Sequence, residues 1–283
     1  MKRLYALLGL TSALVVSTPI AVSAKTIRNV VLVHGAFVDA SSWDKVAALL
    51  RKRGFNVTAV HNPLTSLGAD VAATRKVLAA QDGPTVLVGH SWGGVVIGEA
   101  GDDPKVKALV YVGAFALDKG ESVGALIDGI PPTEGLKVLV DPTAPGVADV
   151  PAPESDVVAQ AKLKALLASA KAVSVNQTAF PRVFAGDVSV AEAEAMAKTQ
   201  MPLSVKAVMD TASVAAWRTK PTYYVVHAND LMIPPEAEAA FAQKIKATTI
   251  TIPSSHASPV SHPKEIAAFI EQAACEQGSF AGP

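Results

Sequence analysis

The sequence predicts an α/β protein whose mostly parallel sheet is flanked by helices. Short apolar runs rich in valine, leucine and isoleucine alternate with amphipathic stretches of helical length, which is the pattern of parallel strands joined by crossover helices. The chain has 283 residues, enough for one large domain with a substantial core. A third observation is a glycine-flanked serine turn that joins one of these strands directly to a helix.

Turn residues divide the chain into its elements. The first predicted strand covers residues 30–33. Ser41 or Ser42 is expected to cap the helix that follows, and Gly54 to end it after about residue 53. The other predicted strands are 56–60, 85–88, 108–112, 222–226 and 248–252, and the other predicted helices are 68–80, 235–246 and 263–274.

The alternation of strands and helices breaks between residues 116 and 220. This stretch contains a proline-rich segment, followed by helical patterns at 155–172 and 190–199. An insertion of roughly a hundred residues is too long for a simple loop, and such insertions usually carry function. We therefore expect a mostly helical cap, 118–217, inserted before the last two strands of a core made of 25–117 and 218–283. An independent second domain is the alternative.

Residues 1–24 have the pattern of a bacterial secretory signal peptide. Lys2 and Arg3 precede a mostly apolar stretch, and Val22-Ser23-Ala24 resembles a cleavage site. The apolar stretch is too short to serve as a stable membrane anchor. We expect export to the periplasm or the medium. The remaining chain is close to neutral, which argues against a nucleic acid partner.

The serine turn is the pentapeptide 89–93, Gly-His-Ser-Trp-Gly. It follows an apolar strand and opens into a helix, the context in which a G-x-S-x-G motif lifts its serine above the edge of a sheet. Side chains at Gly89 and Gly93 would collide with the neighbouring strand or helix. Ser91 is therefore the predicted nucleophile.

A serine hydroxyl needs a base to take its proton, and the base needs an acid to hold its tautomer. In folds with this turn, the acid and then the histidine follow the serine along the chain. Asp230 follows the predicted strand 222–226, at the edge of the sheet where active sites lie. We expect Asp230 to be the acid, with Asp118, after the preceding strand, as the alternative.

His256 is the predicted base because it lies in the loop after the last strand, from which it could reach Ser91. His262 is the competitor, but it precedes a proline at a helix start, where capping explains it. We expect His227 to be a hydrogen-bonded residue near the core at the end of a strand. A turn explains His61, and packing inside the serine turn explains His90.

A tetrahedral intermediate needs N–H donors for its oxyanion. The residue after the nucleophile, Trp92, is one predicted donor. Ala36, in the glycine-containing loop after the first strand, is the other, with Phe37 as the next choice. His34 and Phe37, in this same loop, are the predicted substrate contacts.

Neither a metal nor an organic cofactor is indicated. The sequence has no Cys/His cluster with metal-ligand spacing, no G-x-G-x-x-G motif and no P-loop. Its single cysteine, Cys275, cannot form an internal disulfide.

Several of these segments together resemble the α/β-hydrolase superfamily, in the branch that contains plant methyl esterases, hydroxynitrile lyases and bacterial esterase relatives. The resemblance runs from about residue 30 to 274 and is carried by segments 31–37 with Trp43, 220–224, 233–235, 253–256 and 261–263, and by Asp230. It implies a cofactor-free Ser/His/Asp hydrolase with a small helical cap, and its triad matches Ser91, Asp230 and His256. The lyases of this branch use a cap lysine, a role to which neither Lys206 nor Lys220 can be assigned.

The predicted function is hydrolysis of a carboxylic ester or lactone of a small to medium, largely apolar molecule, through an acyl-enzyme on Ser91. One alternative is lyase or cofactor-free peroxidase chemistry on the same three residues. The other is a ligand-binding protein with little turnover. The intact Ser/His/Asp set argues against the second alternative.

Overall fold

The computed structural model describes residues 27–128, 130–144 and 155–278, so the predicted signal peptide lies outside the described residues. The strands are β1 Asn29–Val33, β2 Asn56–Val60, β3 Thr85–His90, β4 Val106–Val112, β5 Leu139–Val140, β6 Ala172–Val175, β7 Leu203–Ser204, β8 Thr222–His227 and β9 Thr248–Ile252. The α-helices are α1 Asp44–Lys52, α2 Leu67–Ala79, α3 Gly93–Ala100, α4 Val123–Asp128, α5 Asp156–Ser169, α6 Phe180–Val183, α7 Val190–Lys198, α8 Val205–Met209, α9 Pro235–Lys244, α10 Ser258–Ser261 and α11 Pro263–Gln277.

The central sheet contains six strands in the order β2-β1-β3-β4-β8-β9. Every neighbouring pair is parallel, so the predicted fold class is confirmed. The carboxyl ends of parallel strands meet at one edge. The strand order reverses between β1 and β3, and a crevice opens at such a point. The loops after β1, β3, β8 and β9 all reach this edge.

Both faces are covered at the four inner strands, which is why β1, β3, β4 and β8 are almost continuously apolar. Val30 and Leu32 point to one face, where helices α1 and α11 pack, and Val31 and Val33 point to the other. On that second face, α2, α3 and α9 share one apolar core with the insertion. The insertion is therefore packed onto the sheet domain by a common core.

The prediction for the start of the first helix was wrong. Asp39, not Ser41 or Ser42, is the capping residue: its carboxylate accepts the N–H of Ser41 at 2.7 Å and begins a short 3₁₀ turn at 40–43. Helix α1 follows that turn. Gly54, with a φ of 87°, comes directly after the chain leaves the helix.

The insertion lies between β4 and β8, before the last two strands of the main sheet, as predicted. The predicted cap, 118–217, falls within it, and the predicted helices 155–172 and 190–199 correspond to α5 and α7. It also contains a small antiparallel sheet, β5-β6-β7, which the sequence did not predict. These strands have two to four residues, too few to show an alternating pattern.

Candidate active site

Ser91 occupies a strained turn between β3 and α3. Its φ is 54°, a value that residues with a side chain rarely adopt. A Cβ atom at Gly89 would lie 2.4 Å from the carbonyl oxygen of Gly93, and one at Gly93 would lie 2.4 Å from that of Val33. Only glycine fits at these two positions, which is the arrangement that the motif requires.

Ser91, His256 and Asp230 lie in one hydrogen-bonded row, and all three are buried. The distance from Nε2 of His256 to Oγ of Ser91 is 2.9 Å. The distance from Nδ1 of His256 to Oδ2 of Asp230 is 2.5 Å. The imidazole can therefore accept the serine proton at Nε2 while Nδ1 donates to the carboxylate.

Asp230 is held in its ionised form. Burial acts to raise the pKa of this carboxyl, but His256 and the hydrogen bonds from His227 and His256 outweigh it and hold the pKa well below its usual range. Its other oxygen, Oδ1, accepts the backbone N–H groups of Met232 and Ile233 at 2.6 and 2.9 Å. A carboxylate with several N–H donors is stable even when buried.

The alternative acid and base lie elsewhere. Asp118 forms an ion pair with Arg218, whose side chain is 58% exposed. His262 contacts the hydroxyl of Ser261 at 2.9 Å and the carboxylate of Asp187 at 3.3 Å. Although His262 precedes α11, its side chain caps no helical N–H, so the capping explanation was wrong.

His90 packs inside the turn. Its Nε2 lies 2.8 Å from the carbonyl oxygen of His256, and its ring stands edge-on to those of Trp43 and Phe184. Burial, together with His256 and His227, lowers the pKa of His90 well below its usual value, so the ring is neutral. It can therefore donate to the His256 carbonyl from Nε2.

Two backbone N–H groups beside Ser91 are available as donors. A Cβ atom at Gly35 would lie 2.8 Å from Cβ of Ser91, so the loop after β1 passes directly against the serine. The N–H of Phe37 donates to the carbonyl of Met201 at 3.1 Å. Within the described part of the chain, the N–H groups of Ala36 and Trp92 donate to no acceptor.

His34 is engaged within the protein. Its Nδ1 lies 2.8 Å from the carbonyl oxygen of Gly35, and its Nε2 accepts the N–H of Asn62 at 3.0 Å. Both ring nitrogens are therefore used in hydrogen bonds that stabilise the loop after β1, and neither is available to bind a ligand. Phe37, the other predicted substrate contact, is buried in this loop with a φ of 66°.

His227, expected to be a hydrogen-bonded residue near the core, is fully buried, and its Nδ1 lies 3.3 Å from Oδ2 of Asp230. Sequence reasoning did not identify two acids close to this row. Glu238, on α9, is fully buried and accepts the backbone N–H of His227 at 2.8 Å. Asp187, in the insertion, accepts the backbone N–H of Ser255 at 3.0 Å. In the sequence, both acids look like solvated surface charges, so no local signal could have identified them.

His227, Asp230 and His256 also form the one His/Cys/Asp/Glu group among the described residues whose ligand atoms lie close enough for a metal ion. Their separations of 2.5 and 3.3 Å are those of direct hydrogen bonds. An ion–ligand bond is about 2 Å long, so an ion between two ligands would hold them farther apart. The cluster is built as a hydrogen-bonded network.

Neither lysine considered for lyase chemistry is free for that role. Lys206 pairs with Asp210 at 2.6 Å, and its side chain is 67% exposed. Lys220 donates to the carbonyl oxygens of Asp103 and Val106, at the start of β4 and so at the opposite end of that strand from the serine turn.

Comparison with known proteins identifies relatives. The sequence model described as "Alpha/beta hydrolase family" matches residues 30–269. A carbendazim hydrolyzing esterase of Nocardioides is 38% identical over 120 residues, which are 38% of this chain and 50% of that protein. Methylesterase 7 of Arabidopsis thaliana is 33% identical over 109 residues, 32% of this chain and 41% of that protein. The chain thus matches half or less of the length of these curated relatives.

Among solved structures, a pyrethroid hydrolase from Sphingobium faniae superposes with a TM-score of 0.66 and 19% identity, over 90% of this chain and 100% of that one. At this identity the likeness extends to the fold alone.

No helix among the described residues is both long and apolar enough to cross a membrane.

Proposed function

The chain belongs to the alpha/beta hydrolase family, and from that premise we propose that it is a serine hydrolase of carboxylic esters. The observation that carries the proposal is the hydrogen-bonded row Ser91–His256–Asp230, with distances of 2.9 and 2.5 Å. The names of the curated relatives, an esterase and a methylesterase, support ester hydrolysis as the reaction.

In the proposed mechanism, Nε2 of His256 removes the proton of Ser91 as Oγ attacks the ester carbonyl. The N–H groups of Ala36 and Trp92 stabilise the oxyanion, and each such donor contributes about 10²–10³ in rate. The imidazolium then gives its proton to the leaving alcohol, which leaves an acyl group on Ser91. Water, deprotonated by His256, attacks the acyl carbonyl; the imidazolium returns its proton to Oγ, and the acid is released.

The proposed substrate is a small to medium, largely apolar ester or lactone. The ring of Phe184, from the insertion, stands edge-on to that of His256 with 4.8 Å between centroids, and Phe180 stacks on Phe184 at 4.6 Å. Buried aromatic rings beside the acting imidazole favour an apolar ligand and disfavour an unpaired charge.

Replacement of Ser91 tests the proposal. Ser91→Ala should fold normally by circular dichroism and lose at least about 10³-fold in kcat toward p-nitrophenyl butyrate, because the three residues act as a unit. Near-normal turnover by this variant would exclude Ser91 as the nucleophile. A wild-type protein that binds esters but turns none over would favour the ligand-binding alternative.

We also propose that the protein is exported, on the strength of residues 1–24. Expression of the full chain in a bacterial host, followed by intact mass measurement of the periplasmic product, should give an N-terminus at Lys25. Recovery of the uncleaved chain from the cytosol would contradict export.

A further inference from the structure

A buried hydrogen-bonded network extends beyond Asp230, the acid of the proposed triad. Glu238 and His227 are both fully buried, and they come from α9 and the end of β8. One oxygen of Glu238 accepts the backbone N–H of His227 at 2.8 Å. Its other oxygen, Oε1, lies 3.5 Å from Nδ1 of His227, and the same nitrogen lies 3.3 Å from Oδ2 of Asp230, so the two carboxyl groups lie against one imidazole nitrogen.

The hydrogen bonding of His227 indicates that its ring is neutral. A charged imidazole would carry a proton on each nitrogen, and nothing among the described residues accepts a hydrogen bond from Nε2. A Cβ atom at Gly113 would lie 2.1 Å from Cε1 of this ring, so the imidazole packs directly on the backbone of Gly113. Its single proton is then on Nδ1, from which it donates to Asp230.

A neutral His227 leaves Glu238 without a cation. The titratable groups that act on this carboxyl are Asp230, His227 and Tyr224. Tyr224 remains a phenol, because burial raises its pKa well above the usual value. Burial, the negative charge of Asp230 and the hydrogen bond with it likewise raise the pKa of Glu238 well above normal.

From this geometry we propose that Glu238 is a positioning residue: its neutral carboxyl group donates a hydrogen bond to the carboxylate of Asp230. Oε1 is the oxygen that carries the proton, because Oε2 accepts from the backbone and Oε1 accepts from nothing in the described part of the chain. The carboxylate of Asp230 then accepts hydrogen bonds from Glu238 and His227 as well as from His256.

This hydrogen bond acts on the proposed base, His256, through the carboxylate of Asp230. A donor to Asp230 withdraws negative charge from the oxygen that faces His256, so the charged form of His256 is less stabilised. Loss of the donor should move the acidic limb of the kcat/KM profile to higher pH. The kinetic part of this inference rests on the proposed esterase function, whereas the protonation of Glu238 can be measured without it.

Carbon-13 NMR of protein labelled at the glutamate carboxyl carbons tests the protonation. The resonance that disappears in Glu238→Gln belongs to Glu238, and it should keep the chemical shift of a protonated acid from pH 5 to pH 8. A carboxylate shift at pH 7 overturns the proposal. So does a nitrogen-15 spectrum in which both nitrogens of His227 are protonated.

Two variants test the tuning. Glu238→Gln keeps an N–H donor and should retain the wild-type midpoint of the acidic limb. Glu238→Leu removes the donor and should raise the midpoint by about half a pH unit. Glu236→Gln, an exposed position on the same helix, is the control for the loss of one acidic group, with no expected shift. Equal profiles for the Gln and Leu variants would overturn the donor role.

If Glu238→Leu does not fold, the NMR measurement on wild type and the Gln profile still decide the matter. A Gln variant with a raised midpoint contradicts the proposal. A wild type without esterase activity refutes the proposed function instead, and leaves the NMR result to decide the hydrogen bond alone.

Discussion

The carboxylates of Asp230 and Asp118 differ in the partner that each one holds. Asp230 is buried and contacts Nδ1 of His256 at 2.5 Å, so its loss leaves the imidazole without its orienting acceptor. Asp118 pairs with the exposed guanidinium of Arg218, and a surface pair of this kind contributes little to stability because solvent screens it. The two aspartates should therefore respond very differently to the same substitution.

Asp230→Asn should reduce kcat on the order of 10³–10⁴-fold, because an amide N–H faces Nδ1 and favours the wrong tautomer of His256. Asp118→Asn should stay close to wild type. Both are measured with p-nitrophenyl butyrate at pH 8, with folding checked by circular dichroism. A larger loss in Asp118→Asn would assign the acid to the loop after β4.

Asp70 holds the side chain of Trp92, the proposed oxyanion donor. Its carboxylate accepts the indole N–H of Trp92 at 2.7 Å and the backbone N–H of Leu64 at 2.8 Å. Burial outweighs these two hydrogen bonds and raises the pKa of Asp70 to about 6, from 3.8. The folded protein therefore binds a proton at Asp70 more tightly than the unfolded chain does.

The sign of the resulting pH dependence follows from linkage. The contribution of Asp70 to the free energy of unfolding is complete below pH 3.8 and is lost as the pH rises through about 6. The total loss is about 3 kcal/mol. Asp70→Asn cannot titrate. Asp70→Asn is compared with wild type by urea titration. The wild-type free energy of unfolding minus that of the variant should decrease as the pH rises from 4 to 7. A constant or rising difference would contradict the assignment.

Hydrogen bonds connect the insertion to the loop that carries His256. Asp187, between α6 and α7, accepts the backbone N–H of Ser255 at 3.0 Å and also its hydroxyl. Ser255 immediately precedes His256, whose ring meets Phe184 of the insertion. The insertion therefore helps to hold the imidazole in place.

Asp187→Ala should reduce kcat by roughly tenfold with a smaller change in KM, because hydrogen bonds to a charged group contribute about 1.5–3 kcal/mol. The matched control is Glu192→Ala, which removes an exposed link between the insertion and the core, the pair Lys45–Glu192 at 2.8 Å. The control should remain near wild type. Equal losses in both variants would show a general loosening of the insertion rather than an effect on His256.

The four inner strands of the main sheet were predictable because each is largely apolar and buried. The more exposed edge strands β2 and β9 continue the same alternation of strands and helices. Ser91, Asp230 and His256 could be proposed from their places after β3, β8 and β9, since parallel strands end at one edge. The antiparallel sheet of the insertion could not be predicted, because its strands are too short to carry a pattern. Glu238 and Asp187 could not be found either, because only the packing of α9 buries Glu238 and only the packing of the insertion brings Asp187 to Ser255.

For the whole molecule, the distribution of charge predicts which substrates enter. Three cations of the insertion have carboxylate partners: Arg182 pairs with Glu134, Lys206 with Asp210 and Arg218 with Asp118. All three are more than half exposed. Because these three cations already have partners, a substrate carboxylate beside the scissile bond would lose its hydration without gaining any of them, which carries a large penalty.

The rate toward p-nitrophenyl esters should therefore depend on apolar contact. Each methylene buried in the pocket contributes about 0.8 kcal/mol, or roughly fourfold in kcat/KM. We expect kcat/KM to rise from acetate to butyrate or beyond, and then to fall when the acyl chain outgrows the binding site. A hemisuccinate ester, similar in length to butyrate but carrying a carboxylate, is the matched charged analogue and should be hydrolysed far more slowly. Preference for the hemisuccinate would mean that Arg182, Lys206 or Arg218 leaves its partner to face the substrate, and substitution of each in turn would identify which one does.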